Sequence, residues 1–327
     1  MHKQPNSKLT RQYERPCVTK QKPTNQPNEF LGKIMRSCLV AMLVMMGFGY
    51  NASSEASDNI VHRLKKTGIL TVGTSLDSAP FASRVSGNKF AGFAIDIIEE
   101  IANGISDDLK ITITTKFIGI TTRKAELLAV KNREVDIFCG STTPTWEGEK
   151  LVDFSVPFFI DGIRLLTFIK YGKSGVFGLQ TKTIGVIKDD TSFSIIQSKL
   201  PNSRIKTFPN QLSAMAALEK KSIDAFADDG IVLESLRLNS KQENNLMLVP
   251  KSGVLVWETI SCILPENQSK FKDLVNFQLI KMLNGLERLS GKYAKIYFRW
   301  FGIDGTLNYP LDKTRQNKLL SSNIWLR

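Results

Sequence analysis

The chain has 327 residues, 42% of them hydrophobic and 23% charged, which is ordinary globular composition with room for one or two cored domains. Its net charge of +13 is scattered, with no basic stripe interleaved with aromatics, so nucleic acid is not an expected partner. Only two histidines are present, His2 and His62, which leaves no material for a His-based triad or a zinc site.

The first 30 residues are rich in Gln, Asn, Pro and Lys and are expected to be disordered. Lys33 and Arg36 then precede an apolar run over residues 38–50, followed by small and polar residues. That order is the charged region, apolar region and exit of a secretory signal peptide, placed at residues 35–56 with cleavage after Ser54 or Ala56. The run is short for a bilayer span, and an uncleaved anchor is the alternative. Met35 offers a second start, which would make residues 1–34 an extension outside the mature protein. Residues 1–56 carry eight Lys/Arg against three Asp/Glu, a net +5, so the remainder stays basic at +8. The expected location is therefore periplasmic or secreted. Cys17 and Cys38 would leave with this segment. Cys139 and Cys262 would remain, as a disulfide or as two buried thiols.

Residues 69–74 alternate as a strand after a helix-like lead over 58–66. Residues 75–81 read as a loop containing Pro80, and 84–89 as a hairpin turning at Gly87 and Asn88. Residues 92–101 place Phe93, Ile97, Ile98 and Ile101 on one helical face. A second strand follows at Ile111, Ile113 and Thr115, then a helix over 121–130. With the apolar run 135–139 the order is βαβαβ, the pattern of a parallel sheet covered by helices. Residues 162–169 leave this unit, and 171–180 read as loop. A second unit then offers a strand at 183–187, helices at 192–200 and 211–220, and a strand at 223–227. Residues 258–264 form a last strand, followed by helices at 270–284 and up to about Trp300. The tail after Gly305 is polar and is expected to be mobile. The two units echo each other: residues 131–136 lead into Ile137-Phe138 as 221–224 lead into Ala225-Phe226.

Residues 135–159 concentrate the chemistry. A buried strand ends in Gly140, Ser141, Thr142 and Thr143, with Thr145 able to cap a helical turn at Trp146 and Glu147. Hydroxyls and free backbone N–H groups at a helix start suit an anion. The stretch contains no nucleophile–base pair, and an ordinary strand–turn–helix explains it equally well.

This stretch resembles the bacterial extracellular solute-binding proteins of family 3, the amino-acid receptors of ABC transporters. The similarity continues in order through LTVGTSLDSAPF, GFAIDI, TIGVI, IDAFADD, CILPENQSKFKDLVN and YFRWFG, over about residues 60–303. The pairing of Cys139-Gly140-Ser141-Thr142-Thr143 with Cys262 is most similar to the glutamate/aspartate-binding branch. The resemblance implies an α/β fold of type II, two lobes each built on a mainly parallel sheet and joined by two hinge strands. Lobe one would span 57–165 plus 262–305, lobe two 166–261, and a tail 306–327, with crossings near 163–168 and 259–264. It implies a receptor, not an enzyme, acting as a monomer with a permease partner and no cofactor. Gly140, Ser141 and Thr143 would receive an amino-acid carboxylate, with Asp190 and Thr191 facing them. Asp229 matches the family carboxylate that binds the ammonium, or is a helix N-cap. Phe81 lines the pocket or belongs to the core. The arginine that clamps the carboxylate in most relatives is Gly148 here, and the two further arginines of the acidic-substrate branch are Ser75 and Glu126. Arg123 is the replacement to expect, or a solvated helix residue. Asp77, Glu126, Asp189 and Asp190 would favour a cationic ligand. A cleft dehydratase acting on prephenate-like acids and a membrane-tethered sensor are the competing functions.

Overall fold

The computed structural model describes residues 59–323; the expected signal segment and the Cys17 and Cys38 positions lie outside them. The first lobe opens with helix α1 (Ile60–Thr67), capped by Asn59, whose side chain accepts from the His62 amide. Strand β1 (Ile69–Ser75) follows. A small antiparallel sheet, β2 (Asp77–Ser78), β3 (Ala82–Ser86) and β4 (Lys89–Ala91), turns at Gly87, whose φ of 51° suits a residue without Cβ. Helix α2 (Phe93–Leu109) runs past Ile101, where the sequence reading ended it, and buries Ile105 as well as Phe93, Ile97, Ile98 and Ile101. Strand β5 (Thr114–Ile120), helix α3 (Arg123–Lys131), strand β6 (Ile137–Phe138), helix α4 (Trp146–Glu149) and strand β7 (Asp153–Phe154) complete the unit.

The chain then enters the second lobe on a single ten-residue strand, β8 (Phe159–Phe168). There follow α5 (Ile169–Gly172), a 3₁₀ turn at Gly175–Leu179, β9 (Thr183–Ile187), α6 (Thr191–Lys199), β10 (Arg204–Phe208), α7 (Gln211–Glu219), β11 (Ala225–Asp229), α8 (Gly230–Leu238), β12 (Leu246–Val249) and β13 (Val256–Ile260). It returns through β14 (Ile263–Leu264) to α9 (Ser269–Leu283), α10 (Gly291–Phe301) and α11 (Lys313–Ser321).

Each lobe is thus organised by its own sheet. The first runs β5-β1-β6-β14-β7, with β5, β1 and β6 parallel; the second runs β10-β9-β11-β8-β12, with β13 also on β8. The strand pair β8 and β13 is antiparallel, Phe159 opposite Ile260 and Ile163 opposite Val256. The first part of β8 belongs to the core of the first lobe, through Phe159 and Ile160. By Ile163 it belongs to a core of the second. The crossing therefore lies ahead of residues 163–168, where the sequence put it. An apolar run of this length does not mark the point at which its packing partners change.

The echo between the units is real at the level of hydrogen bonds. Asp136 accepts from the Thr71 amide at 2.8 Å and returns its own amide to the Thr71 carbonyl at 2.8 Å. Asp224 does the same with Thr183, at 2.9 Å and 2.8 Å. The turns before them match too: Arg133 and Lys221 both have positive φ, 63° and 58°. In each lobe the aspartate ties the entry of the third strand to the start of the first.

Cys139 and Cys262 form a disulfide that joins residues 123 apart, tying the end of β6 to the strand connection before β14. The segment after Gly305 is not a loose polar tail. Leu307, Tyr309 and Leu319 are buried in the first-lobe core. Tyr309 donates to Asp161 on β8 at 2.9 Å, Arg315 approaches the same carboxylate at 3.5 Å, and Asn323 donates to the Pro157 carbonyl at 3.1 Å. Three apolar residues spaced among charged ones carry little periodic signal, but they are enough to dock one amphipathic turn.

Candidate functional site

The turn between β6 and α4 holds the first wall. Ser141 and Thr142 are buried, and Thr145 caps α4 by accepting the Gly148 amide at 3.0 Å. The opposite wall is the start of α6. There Asp190 accepts the Ser192 amide at 3.0 Å through one oxygen, as an N-cap should. Its other oxygen faces across to the first lobe. Arg123, the first residue of α3, spans the gap. Its Nε donates to Asp190 at 3.1 Å, Nη1 to Glu126 at 3.1 Å and to Thr142 at 3.4 Å, and Nη2 to the carbonyl and hydroxyl of Ser141 at 2.6 Å and 3.0 Å. Burial opposes its charge, but Glu126, Asp190 and Asp228 outweigh burial and hold the guanidinium firmly protonated.

A cavity of about 250 Å³ lies against this bridge, with Thr142 and Thr143 on one wall and Asp190 and Thr191 on the other. A smaller crevice, of about 20 Å³, carries Asp77 and Ser78 together with Asn210 of the second lobe; Arg123 and Glu126 line both spaces. Of the residues singled out in the sequence, Arg123, Ser141, Thr143, Asp190 and Thr191 are brought together. Gly140 stands at the same turn, where an added Cβ would meet Phe138 at 3.0 Å and the Ser75 hydroxyl at 3.2 Å. Asp77 belongs to the smaller crevice. Phe81 is core: it is fully buried, with its ring 5.1 Å from Phe159 and 6.3 Å from Phe93.

Asp229 ends β11 and occupies the N-cap position of α8, yet its side chain makes no capping bond. It is 3% exposed and does not border the cavity. Two acids beside it were not anticipated. Asp228 is 2% exposed; burial and the neighbouring Asp190 push it up to about 7, against the pull of Arg123. Glu258, on β13, is pushed up to about 7 by burial, against the pull of the Thr191 hydroxyl beside it. Asp229 is raised well above the ordinary carboxylate range by burial and then by Asp228. The signal for Asp228 was available: two consecutive acids close an otherwise apolar strand, and alternation cannot send both to solvent. Glu258 carried no such mark.

The positions where the resemblance implies arginines are filled otherwise. Ser75 and Glu126 meet each other at 3.5 Å. At Gly148 a Cβ would come within 2.9 Å of the Phe154 ring. The positive charge has moved to Arg123, one turn before Glu126 on the same helix.

Two sheet-bearing lobes joined by paired strands, with polar groups from both walls on one seam, define a hinged small-molecule binding protein. Residues 70–303 match the profile of the bacterial extracellular solute-binding proteins, family 3, and the chain belongs to that family. Among its relatives is the glutamate/aspartate import solute-binding protein of Escherichia coli (strain K12), 26% identical over 255 residues, covering 76% of this chain and 82% of the relative. Another is the ABC transporter glutamine-binding protein GlnH of Bacillus subtilis (strain 168), 27% identical over 271 residues, covering 81% and 93%. The fold is that of the ancestral amino acid-binding protein AncCDT-1, a precursor of cyclohexadienyl dehydratase, with a TM-score of 0.63, 23% identity, and coverage of 74% and 99%.

Proposed function

We propose that the protein is an exported receptor that closes its two lobes over an amino acid or a related small polar solute and delivers it to an ABC-transporter permease. The observation that carries this is the seam itself. Hydroxyls of Thr142 and Thr143 from one lobe and the Asp190–Thr191 helix start from the other share a cavity of about 250 Å³, a volume suited to one small guest. Closure around a guest by hinge strands is the mechanism this architecture supports. Gly140, Ser141 and Thr143 would hold one end of the solute, and Thr191 and Asp190 would meet it from the second lobe; Asp229, set back from this cavity, is left out of the contact set. The names of the relatives support an amino-acid-like ligand. The Cys139–Cys262 disulfide fits an oxidising compartment, outside the cytoplasm. The receptor acts as a monomer, since one chain supplies both walls.

One observation favours a second reading. Glu258 and Asp228 near neutrality resemble the tuned acids of a cleft dehydratase. A prephenate-like acid would need a free cation for its carboxylates, however, and the guanidinium of Arg123 is already engaged at every N–H. The receptor reading is therefore preferred. Thermal-shift and calorimetric titration of the full chain with the common amino acids and polyamines tests it. Saturable one-to-one binding by at least one of them is expected, and silence across the whole panel contradicts it.

A further inference from the structure

The tail that docks on the first lobe also reaches the strands that join the lobes, and Asp161 is the meeting point. It is fully buried on β8, between Ile160 in the first-lobe core and Ile163 in a second-lobe core. Its Oδ2 accepts from the Ile231 amide at 2.6 Å. Its Oδ1 accepts from the Tyr309 hydroxyl at 2.9 Å and stands 3.5 Å from the Arg315 guanidinium. Burial raises the pKa of this carboxyl; the Arg315 charge, the Ile231 amide and the Tyr309 hydroxyl all oppose that rise and favour the ionised form. Ile231 lies in the first turn of α8, whose own N-cap residue, Asp229, makes no capping bond. Asp161 therefore caps α8 from a different strand. One carboxylate joins a connecting strand, the start of α8 and the tail.

The tail is held from both sides. Within the first lobe, Tyr297 donates to the Tyr309 carbonyl at 3.0 Å and Gln316 to the Glu287 carbonyl at 3.2 Å. Toward the second connecting strand, Lys318 and Arg315 lie 5.2 Å and 5.8 Å from the centre of the Trp257 ring on β13, within reach of cation–π attraction. At Gly230, which opens α8, an added Cβ would meet the Tyr309 hydroxyl at 2.9 Å, so tail and helix fit closely. The family profile ends at residue 303, ahead of this segment.

We infer that residues 306–323 form a strap across the hinge, which holds the lobes near the closed arrangement by keeping Tyr309, Asp161 and Ile231 together. This goes beyond the receptor reading; it requires the hinge but no particular ligand. The partners of Asp161 come from separate elements, and hydrogen bonds of 2.6 Å and 2.9 Å tolerate little relative movement. In the same arrangement Arg123 of the first lobe reaches Asp190 of the second. A rotation about β8 and β13 that parts this pair also shifts α8 against the tail and spoils the geometry at Asp161. A hydrogen bond to a charged group shifts an equilibrium by roughly tenfold to hundredfold. With the strap in place the ligand-free protein is closed for more of the time, and a guest meets a seam already assembled.

The test is small-angle scattering and amide hydrogen exchange of the ligand-free full chain, well below its melting temperature. Arg315→Gln and Tyr309→Phe are compared with the parent, and Arg123→Met serves as the reference for a seam that has lost its bridge. Each tail variant is expected to show a larger radius of gyration than the parent. The amides of Gly140–Thr143 and of Asp190–Ser192 are expected to exchange about tenfold faster or more, on both walls together. A tail that only packs on the first lobe would lower the melting temperature and leave the radius as it is. An unchanged radius in both tail variants, whatever their melting temperatures, overturns the inference. If Arg123→Met enlarges the radius in that case, the hinge and the receptor reading stand. Faster exchange confined to Gly140–Thr143 also overturns it.

Discussion

Asp228 gives the sharpest physical prediction, because its ionisation is opposed by its surroundings and its replacement is nearly isosteric. Burial and Asp190 move it from an ordinary value of 3.8 to about 7. A carboxyl raised on folding keeps its proton longer in the folded state, so folding costs nothing extra below about pH 4 and progressively more as pH climbs toward 7. About 3 pH units at 1.36 kcal/mol each give a penalty on the order of 4 kcal/mol, complete above about pH 7. Asparagine never ionises and avoids it. Asn at this position also keeps an oxygen for the Asp229 amide, which now donates to Asp228 at 2.7 Å. The ligand-free Asp228→Asn protein is therefore expected to match the parent near about pH 4 and to exceed it by several kcal/mol near about pH 8. Urea unfolding at a series of pH values, with the slope compared between the two proteins, measures the gap. A gap that does not change with pH, or a variant less stable than the parent at about pH 8, would refute the premise that Asp228 is ionised at a cost.

Replacing Cys139 and Cys262 together by serine is expected to cost about 2–5 kcal/mol, since the disulfide closes a loop of 123 residues; equilibrium unfolding of the double variant checks it. Arg123→Met leaves Glu126 and Asp190 without their shared partner and should weaken this bridge between the lobes by about 3–5 kcal/mol. Small-angle scattering of that variant should report a larger radius of gyration as the lobes part. Tyr309→Phe removes the hydroxyl that donates to the buried Asp161 and should cost about 1.5–3 kcal/mol in thermal or urea unfolding.

Much of the scaffold could be read from local pattern. The helix at Phe93 announced itself through its spacing, and the mirrored Asp136 and Asp224 were visible as an echo before their hydrogen bonds were seen. What stayed hidden depends on partners distant in the chain. The strand Arg204–Phe208 is an exposed edge with charged residues, so it lacks the apolar run that marks buried strands. The tail docks through Tyr309 and Arg315 on an aspartate more than a hundred residues away. Phe81 could be placed in the pocket or in the core from its neighbours alone, and the rings of Phe93 and Phe159 decide for the core. At the site, the hydroxyl turn and the Asp190 helix start were legible because each is a local motif. The charge balance was not, because Glu258 and Asp228 become neighbours only when β13 and β11 take their places around β8.

Amide hydrogen exchange of the full chain, with and without a saturating mixture of the common amino acids, putrescine and spermidine, tests the central claim most directly. If a solute is enclosed between the lobes, the amides of Gly140–Thr143 and of Asp190–Ser192 gain protection together, although they belong to different sheets. Protection confined to one of these segments, or found only elsewhere on the surface, contradicts enclosure at this seam.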